Sequence, residues 1–239
     1  MIADPSSILI ILHGSLGDVT RALPLANLIR RRYPKARLAW SIERAAFPLV
    51  EHHPAVDDVI LFDRRRWWKA LGPFLRRIRA ERFDLVLDLQ RILKSGLISW
   101  CSGAPHRLGF HRYDAKEFNW LFNNHHIPAA GNGISKLSHY LKFAQWLGIE
   151  PCAVEWGLGL LPQEKAGVER MLRDVSGPFA VFFVGSRWES KKWFPADTAE
   201  CASELQRRYG LEIVLLGAAE DSSFAEEVGG FGLQKLTNW

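Results

Sequence analysis

The stretch Ile8-Leu9-Ile10-Ile11-Leu12-His13-Gly14-Ser15-Leu16-Gly17-Asp18-Val19 decides the fold class of this chain. It opens with five consecutive aliphatic residues, a run too short for a helix core and typical of a strand buried on both faces. A Gly-x-x-Gly turn ends the run, and an apolar pattern at helical spacing follows it. The stretch therefore predicts a strand, a tight loop and a helix. In open α/β folds such a loop lies at the carboxyl edge of a parallel sheet, where ligands bind.

Asp18 stands where this loop meets the predicted helix. A carboxylate here either caps the free N–H groups of the first helical turn or faces the cleft as a general base. The loop lacks the Gly-Lys-Ser/Thr ending of a P-loop and the third glycine of a dinucleotide fingerprint. Its spacing alone leaves both roles of Asp18 open.

The remainder of the chain alternates short apolar runs with helical patterns, which predicts a parallel, doubly wound α/β sheet. Further strands are predicted at 37–41, 58–62, 84–90, 107–110, 179–184 and 211–216. Helices are predicted at 45–50, 64–82, 93–100, 135–147, 163–174, 196–209 and 221–228.

A stretch that contains several proline and glycine residues divides this pattern into two domains. We expect an N-terminal domain at 1–150, a linker at 151–162 and a second domain at 163–239. The second domain has fewer predicted strands than a doubly wound sheet normally carries, so the sequence is expected to be cut short.

The composition is that of a globular protein, with 48% hydrophobic and 24% charged residues. A net charge of +5 indicates an acidic partner, and phosphates, anionic lipid and nucleic acid all fit it. The cysteines Cys101, Cys152 and Cys201 are odd in number and widely spaced, so neither a disulfide framework nor a zinc site is expected. With no apolar run long enough to span a bilayer and no signal peptide, we expect a cytoplasmic protein.

The predicted helix at 64–82 is strongly basic, with Glu81 its single acid. Its apolar residues include Trp67 and Trp68. A basic amphipathic helix that begins with tryptophan fits attachment to an anionic membrane surface. The alternative is an ordinary helix that packs on the sheet and has a charged outer face. Its basic residues are Arg64, Arg65, Arg66, Lys69, Arg76, Arg77, Arg79 and Arg82.

Two more loops follow predicted strands. In the segment 185–193, backbone N–H groups, the Ser186 hydroxyl and a lysine converge where an anion would bind; the alternative is a solvated basic loop. The segment 88–95 ends on the same edge as Gly14, so that Gln90 and Lys94 are candidates to reach a ligand. The alternative here is that Asp88 and Ser95 act as capping residues and Lys94 is solvated.

Four motifs, in this order, resemble glycosyltransferase family 9, the bacterial heptosyltransferases of the lipopolysaccharide inner core. They are Gly-x-Leu-Gly-Asp at 14–18, Asp-Leu-Gln-x-x-x-Lys-Ser at 88–95, Arg-Leu-Gly-Phe at 107–110 and Gly-Ser-x-Trp-x-x-Lys-x-Trp at 185–193. The resemblance implies a glycosyltransferase-B fold of two Rossmann-like domains, the second incomplete here. It also implies an acceptor site in the first domain and an ADP-sugar site in the second, with no metal and no cofactor.

Family roles carry over where the motifs match. Asp18 matches the general base, and the donor phosphates are assigned to Ser186, Arg187 and Lys191. The nucleotide is assigned to Gly217, Glu220 and Asp221, with Asp221 the better-aligned acid. The acceptor is assigned to His13, Gly14, Ser15, Gly17, Gln90 and Lys94.

The expected function is inverting transfer of a heptose from ADP-heptose to the lipopolysaccharide inner core, at the cytoplasmic surface of the inner membrane and without nucleic acid. An inverting transfer needs a base for the attacking hydroxyl and fixed positive charge for the leaving diphosphate. The family's Asp-Thr-Gly-x-x-His segment is absent from this sequence. The alternative is therefore a non-catalytic truncated homologue that binds lipid-linked oligosaccharide or a partner protein.

Overall fold

A computed structural model describes residues 4–63, 67–131, 133–151, 154–186, 189–232 and 236–238. The chain divides into two units, Met1–Gly159 and Leu160–Trp239. No helix in these described ranges is long and apolar enough to cross a membrane.

The first unit is built on a six-stranded parallel sheet with the strand order β3-β2-β1-β4-β5-β6. Its strands are β1 (Ser7–Ile11), β2 (Arg37–Glu43), β3 (Asp58–Phe62), β4 (Leu85–Asp88), β5 (His106–Gly109) and β6 (His125–His126). Its helices are α1 (Leu16–Arg32), α2 (Trp67–Ala80), α3 (Leu93–Cys101) and α4 (Lys136–Trp146), with 3-10 turns at Arg44–Leu49 and Asn119–Phe122. From β1, the strand order runs in one direction to β2 and β3 and in the other direction to β4, β5 and β6. The order therefore reverses between β1 and β4, and the carboxyl ends of these two strands form the switch point of the sheet.

Local chemistry explains the first strand and helix. The aliphatic run Ile8–Leu12 is 2% exposed or less, as expected for a central strand covered on both faces. Ser15 is the N-cap of α1, and its hydroxyl accepts from the backbone N–H of Asp18 at 3.3 Å. The Asp18 carboxylate accepts from the backbone N–H of Ser15 at 3.3 Å, which completes a capping box. Ser15 rather than Asp18 is thus the cap residue, and Asp18 lies in the first turn.

Two hydrophobic clusters cover the two faces of this sheet. One cluster joins the sheet to α1 and α4, and Trp40, Phe110 and Phe143 are its largest fully buried side chains. The other joins the sheet to α2 and α3 through Phe74, Ile78 and Ile98. Helices on both faces of a parallel sheet confirm the doubly wound architecture expected from the alternating pattern.

The carboxyl end of β4 is fixed by a buried polar network around Asp88, which has no exposed surface. Its carboxylate accepts from the backbone N–H of Gln90 at 3.1 Å and from the amides of Asn119 at 2.7 Å and Asn123 at 3.2 Å. Ser95 lies in the same network and receives a hydrogen bond from Asn119 at 3.2 Å. The network joins β4 to the 3-10 turn at Asn119–Phe122 and to Asn123, which follows it. No helix or strand was predicted from the sequence for this segment.

The second unit contains a three-stranded parallel sheet with the order β7-β8-β9 in the described residues. Its strands are β7 (Phe179–Phe183), β8 (Glu212–Leu216) and β9 (Leu236–Asn238). Its helices are α5 (Pro162–Met171), α6 (Pro195–Tyr209) and α7 (Ser222–Gly230), with 3-10 turns at Leu172–Asp174, Glu189–Lys191 and Ala219–Asp221. A small core of α6, α7 and the sheet includes Ala202, Ile213 and Val228, none of them exposed.

The structure shortens the predicted basic helix at 64–82. Helix α2 ends at Ala80, because Arg82 adopts a left-handed backbone with φ of 50°, while Arg64, Arg65 and Arg66 lie outside the described residues. Arg77 forms ion pairs within the described residues: its guanidinium lies 3.3 Å from the carboxylate of Asp58 and 3.9 Å from that of Glu81. Arg77 therefore does not present a free charge on the surface of this helix.

The expected linker at 151–162 is divided by the boundary after Gly159. Its first part packs on the first unit, since Asn27 donates to the carbonyl of Glu155 at 2.6 Å and the His53 ring lies 2.7 Å from the carbonyl of Trp156. Arg31 adds an ion pair with Glu155 at 2.7 Å. These contacts extend the first unit beyond the expected end at residue 150.

Candidate functional site

A cavity of about 180 Å³ opens at the carboxyl edge of the first sheet, beside the loop that carries Asp18. It lies at the switch point of the sheet, where open α/β folds bind their ligands. Its lining combines one carboxylate with several cationic groups and two buried titratable side chains. The lining residues are Leu12, Asp18, Leu89, Gln90, Arg91, Ile92, Phe110, Lys116, Lys136, His139 and Tyr140.

The Asp18 carboxylate in this pocket is paired with Lys136 of α4, and its Oδ1 lies 2.5 Å from the ammonium. Arg21 lies farther off, with 3.8 Å between the charged atoms. Oδ2 accepts from the Ser15 hydroxyl at 3.0 Å. Burial by itself would raise the pKa of Asp18, but Lys136 and the Ser15 hydrogen bonds outweigh it, so the pKa lies below its usual value. Asp18 is therefore an ionised carboxylate at neutral pH, which a general base requires.

Arg91 brings positive charge into the same pocket from the end of β4. Its backbone is left-handed, with φ of 72°, a conformation that a non-glycine residue adopts only at a cost. Its guanidinium lies over the Phe110 ring at 5.4 Å, and its buried Nε has no hydrogen-bond partner among the described residues. The carbonyl of Arg91 accepts from the backbone N–H of Lys116 at 2.7 Å, which brings a further cation to the rim. The pocket is thus suited to a ligand that carries negative charge.

Two side chains of α4, His139 and Tyr140, line the pocket and are largely buried. Burial lowers the pKa of His139 despite Asp114, whose Oδ1 lies 3.8 Å from its Nε2. Burial and the Asp18 charge raise the pKa of Tyr140. Both side chains are therefore uncharged at neutral pH, and Asp18 is the anionic group among the residues that line this pocket.

The loop residues assigned to the acceptor have distinct surroundings. A Cβ at Gly14 would lie 2.8 Å from the Cβ of Asp18, so a side chain there would displace the carboxylate. Ser15 is engaged in the capping box, and a Cβ at Gly17 would lie 3.2 Å from the flexible end of Arg21. Gly14 is thus the position in this loop where the absence of a side chain matters most for Asp18.

His13 and Lys94 belong to a neighbouring cluster beside α2. His13 is 7% exposed, lies 2.7 Å from the Ser41 hydroxyl and stacks on Phe62 at 5.2 Å. Burial, with a contribution from Lys94, lowers the pKa of His13 to about 3, so its ring is neutral. Lys94 lies 3.0 Å from Glu43 and 4.0 Å from the Phe62 ring centre. These contacts support the carboxyl edge of the sheet rather than line the Asp18 pocket.

Gln90 connects the two strands at the switch point. Its side-chain carbonyl accepts from the backbone N–H of His13 at 2.6 Å, and Gln90 also lines the Asp18 pocket. The arrangement explains why a glutamine follows β4 here: it holds the end of β1 while it presents polar atoms to the pocket.

The Asp18 and Lys136 pair predicts the pH dependence of any reaction that uses Asp18 as a base. Replacing Lys136 with methionine removes the cation that keeps the pKa of Asp18 low, so the pKa should rise. The acidic limb of the kcat/KM profile should then move to higher pH. Carbon NMR titration of the Asp18 carboxyl measures the same change directly. Lys142→Met, on the same helix and 3.4 Å from a carbonyl oxygen, is the matched control; an unchanged Asp18 titration in Lys136→Met would contradict the prediction.

In the second unit, the loops after β7 and β8 meet at Asp221. Its Oδ2 accepts from the backbone N–H of Ala218 at 3.0 Å, and its Oδ1 lies 3.5 Å from the ammonium of Lys192. A cavity of about 330 Å³ adjoins these loops. Asp221 is 6% exposed, so it organises the loop, and a Cβ at Gly185 would lie 2.4 Å from its Oδ2. A Cβ at Gly217 would also be in close contact, at 3.1 Å from the Cβ of Asp221.

The remaining predicted donor residues differ in how far they are exposed. Lys191 ends a 3-10 turn and is exposed, Ser186 is half-buried, and Glu220 is exposed. Arg187 lies outside the described residues. In the part of the chain that the structure describes, no group of three or more His, Cys, Asp or Glu side chains is placed to hold a metal ion.

Sequence reasoning missed Lys136, Arg91, Lys116, His139 and Tyr140, although all five line the pocket. Lys136, His139 and Tyr140 lie on a helix that was predicted correctly but had no motif. A signal for Arg91 was available, since it directly follows the Asp-Leu-Gln strand end at the carboxyl edge.

A family model described as glycosyltransferase family 9 (heptosyltransferase) matches residues 72–230. The lipopolysaccharide core heptosyltransferase OpsX of Haemophilus influenzae is 23% identical over 83% of this chain and 56% of its own length. Lipopolysaccharide heptosyltransferase 1 of Pseudomonas aeruginosa is 28% identical over 89% of this chain and 62% of its own. The chain thus spans about three fifths of these curated relatives.

Solved structures give the same fold. The E. coli heptosyltransferase WaaC with ADP matches 98% of this chain and 74% of its own, with a TM-score of 0.77 and 23% identity. The family 9 glycosyltransferase of Veillonella parvula matches all of this chain and 71% of its own, with a TM-score of 0.85 and 19% identity. The α/β fold of glycosyltransferase-B type expected from the sequence is thereby confirmed.

Proposed function

The chain belongs to glycosyltransferase family 9, and we propose that it is an inverting glycosyltransferase that moves a heptose from ADP-heptose to the lipopolysaccharide inner core. The observation that carries this proposal is the ionised Asp18 carboxylate, held in a cation-rich pocket at the switch point of the first sheet. The names of the relatives, which are lipopolysaccharide heptosyltransferases, support the substrate class.

On the acceptor side, Asp18 takes the proton of the attacking sugar hydroxyl. The hydroxyl oxygen then forms a bond to the anomeric carbon of the donor, and the bond from that carbon to the diphosphate breaks. ADP leaves with the electron pair, and attack from the opposite face inverts the anomeric centre. Arg91, Lys116 and Lys136 complement the negative charge of a lipopolysaccharide core acceptor.

On the donor side, the loops after β7 and β8 are the proposed ADP-sugar site. Lys191, with Ser186 and Arg187, stabilises the negative charge that develops on the leaving diphosphate. Gly217 allows the nucleotide to approach the backbone, with Glu220 and Asp221 as the acids beside it. These side chains supply fixed charge and hydrogen bonds, so the proposed step requires no cofactor.

Gly185→Ala is expected to weaken ADP binding at least about tenfold, because the new Cβ would lie 2.4 Å from Asp221 Oδ2 and push it off the loop. Isothermal titration calorimetry with ADP measures the loss. Gly167→Ala is the matched control, since nothing lies within 4 Å of its Cβ position in α5. Full ADP affinity in Gly185→Ala would contradict the proposed position of the nucleotide.

The proposed function is tested by incubating the chain with ADP-heptose and a lipid-linked inner-core acceptor. Release of ADP together with a one-heptose gain in acceptor mass is the expected result. Acceptor binding with no turnover would instead support the alternative, a non-catalytic homologue that binds lipid-linked oligosaccharide. Because the acceptor is lipid-linked, we also propose that the protein works at the cytoplasmic surface of the membrane that holds it.

A further inference from the structure

Helix α3 exposes an apolar stripe that no part of the described chain covers. Leu93 and Leu97 are each 41% exposed, and Trp100 is 59% exposed. Their spacing places all three on one side of the helix, along about 10 Å of its length. The opposite side is buried: Ile98 packs in the core, and a Cβ at Gly96 would lie 3.0 Å from the 3-10 turn at Asn119–Phe122.

Beside the tryptophan, a shallow cavity of about 440 Å³ lies between α2 and α3. Three guanidinium groups, from Arg76, Arg79 and Arg107, line it together with the Trp100 indole. Leu75, Cys101 and Gly103 complete the lining. We call the stripe and this cavity together the α3 face.

The positive charge of the cavity is not neutralised by carboxylates of the described residues. Arg79 donates to the carbonyl of Cys101 at 3.5 Å, and Arg107 donates to the carbonyls of Phe122 at 3.0 Å and Ala104 at 2.5 Å. Arg76 forms no ion pair within the described ranges. Backbone carbonyls orient a guanidinium but leave its net charge in place, so the cavity attracts an anion.

The acids near α3 lie at its other end. Glu117 accepts from the backbone N–H of Leu93 at 3.1 Å, and Glu43 pairs with Lys94 at 3.0 Å. Neither lines the arginine cavity. The α3 face therefore has an apolar stripe that begins near the Asp18 pocket and ends in uncompensated positive charge.

We propose that the α3 face docks on the surface of an anionic phospholipid bilayer. Arg76, Arg79 and Arg107 bind lipid phosphates, and the stripe Leu93, Leu97 and Trp100 enters the boundary between headgroups and acyl chains. Charge complementarity selects this occupant: guanidinium groups pair with phosphates, while an exposed tryptophan next to leucines suits the membrane interface. The proposal deepens the proposed function, on which it rests for the identity of the membrane.

Docking through the α3 face would bring the Asp18 pocket close to the lipid surface. Ile92 lines the Asp18 pocket, and α3 begins at the next residue. A bilayer against the α3 face would therefore hold the pocket within a few turns of helix from the lipid surface, where the sugars of a lipid-linked acceptor project. Binding to the bilayer would raise the local concentration of acceptor at the pocket without any added contact to the sugar.

Vesicle sedimentation tests the proposal on the whole chain, without donor or acceptor. The wild-type chain should sediment with vesicles of equal parts phosphatidylglycerol and phosphatidylcholine, and much less with phosphatidylcholine alone. Added salt should release it, because the phosphate contacts are screened. Free inorganic phosphate at matched ionic strength should not release it beyond the salt effect, which separates a lipid surface from a site for free phosphate.

Two variants, each with a matched control, locate the contact. Arg76→Ser with Arg79→Ser should weaken vesicle binding about thirtyfold, at about 1 kcal/mol per arginine. Arg31→Ser with Arg32→Ser removes the same charge from α1, on the opposite face of the sheet, and should bind nearly as wild type. Leu97→Ser with Trp100→Ser should also lose binding, whereas Phe231→Ser, which removes an exposed aromatic of the second unit, should not. Circular dichroism confirms that each variant is folded.

Three results would overturn the proposal: no vesicle binding by the wild-type chain, equal binding to neutral vesicles, or full binding by both α3-face variants. A dimer that Leu97→Ser with Trp100→Ser converts to monomers would also overturn it, because the stripe would then bind a second copy. Sugar transfer to a detergent-solubilised acceptor is independent of all these outcomes, so the docking proposal and the proposed function fail separately.

Discussion

Asp18→Asn is expected to lower the rate of sugar transfer by about a hundredfold to ten-thousandfold, the usual contribution of a general base, while ADP affinity stays unchanged. The amide cannot take the proton of the attacking hydroxyl, whereas the proposed nucleotide residues lie in the other unit. Single-turnover transfer and ADP titration calorimetry measure the two quantities separately.

The control for this variant is Asp4→Asn, which neutralises an exposed aspartate of the same unit that pairs with Arg32 at 3.1 Å. Asp18→Asn also weakens the capping box with Ser15, an effect of about 1 kcal/mol on stability. Thermal unfolding should therefore show a small loss that cannot account for lost transfer. An Asp18→Asn protein with wild-type transfer would refute the base role.

Asp88→Leu should have the largest effect on stability, about 3–5 kcal/mol, because it removes the acceptor of a buried network. The Gln90 backbone N–H and the Asn119 and Asn123 amides would all lose hydrogen bonds to this carboxylate. Urea denaturation followed by circular dichroism measures the loss. Asp174→Leu, at an exposed aspartate, should change stability little, and a similarly small change in Asp88→Leu would show that the network does not stabilise the fold.

The same residue predicts a pH dependence. Burial raises the pKa of Asp88, although the hydrogen bonds from Asn119, Ser95, Gln90 and Asn123 oppose the shift. A raised pKa means that the folded state binds the proton more tightly than the unfolded state does. The stabilisation from Asp88 is therefore complete below the unfolded pKa, about 4, and declines as pH rises through the higher folded value. The difference in the free energy of unfolding between the wild type and Asp88→Leu should become smaller as pH rises. A difference that grows with pH would contradict the raised pKa.

Much of the fold was predictable from local patterns. The aliphatic run before Gly14 predicted β1, and helical spacing predicted α3, α4 and α6 to within about two residues. The family resemblance, which rested on glycine turns and strand ends, is confirmed by the matching family model. The segment 111–127 was not predictable, because the 3-10 turn and the two-residue strand β6 within it have no periodicity to detect. The amides of Asn119 and Asn123, not an apolar pattern, hold that segment to β4.

The candidate site was predictable only in part. Asp18 was found because it lies at the junction of the glycine loop and helix α1, and Gln90 because it lies at the end of the fourth predicted strand; both are at the carboxyl edge, where ligands of open α/β folds bind. His13 was assigned to the acceptor together with the family roles, and the structure stacks its ring on Phe62, beside α2. The direction of a side chain at a strand end depends on the packing of neighbouring helices, which a sequence pattern does not contain.

By itself the sequence determined the fold class, the family and the position of Asp18, because periodicity, glycine turns and short motifs are local properties of the chain. Only the tertiary structure decided what surrounds Asp18. Lys136 reaches it from 118 residues away, and Arg91, whose backbone is left-handed, lies over Phe110. The register of parallel strands and the packing of α4 on α1 bring these groups together, and contacts between distant segments set the charge of a site that no single motif encodes.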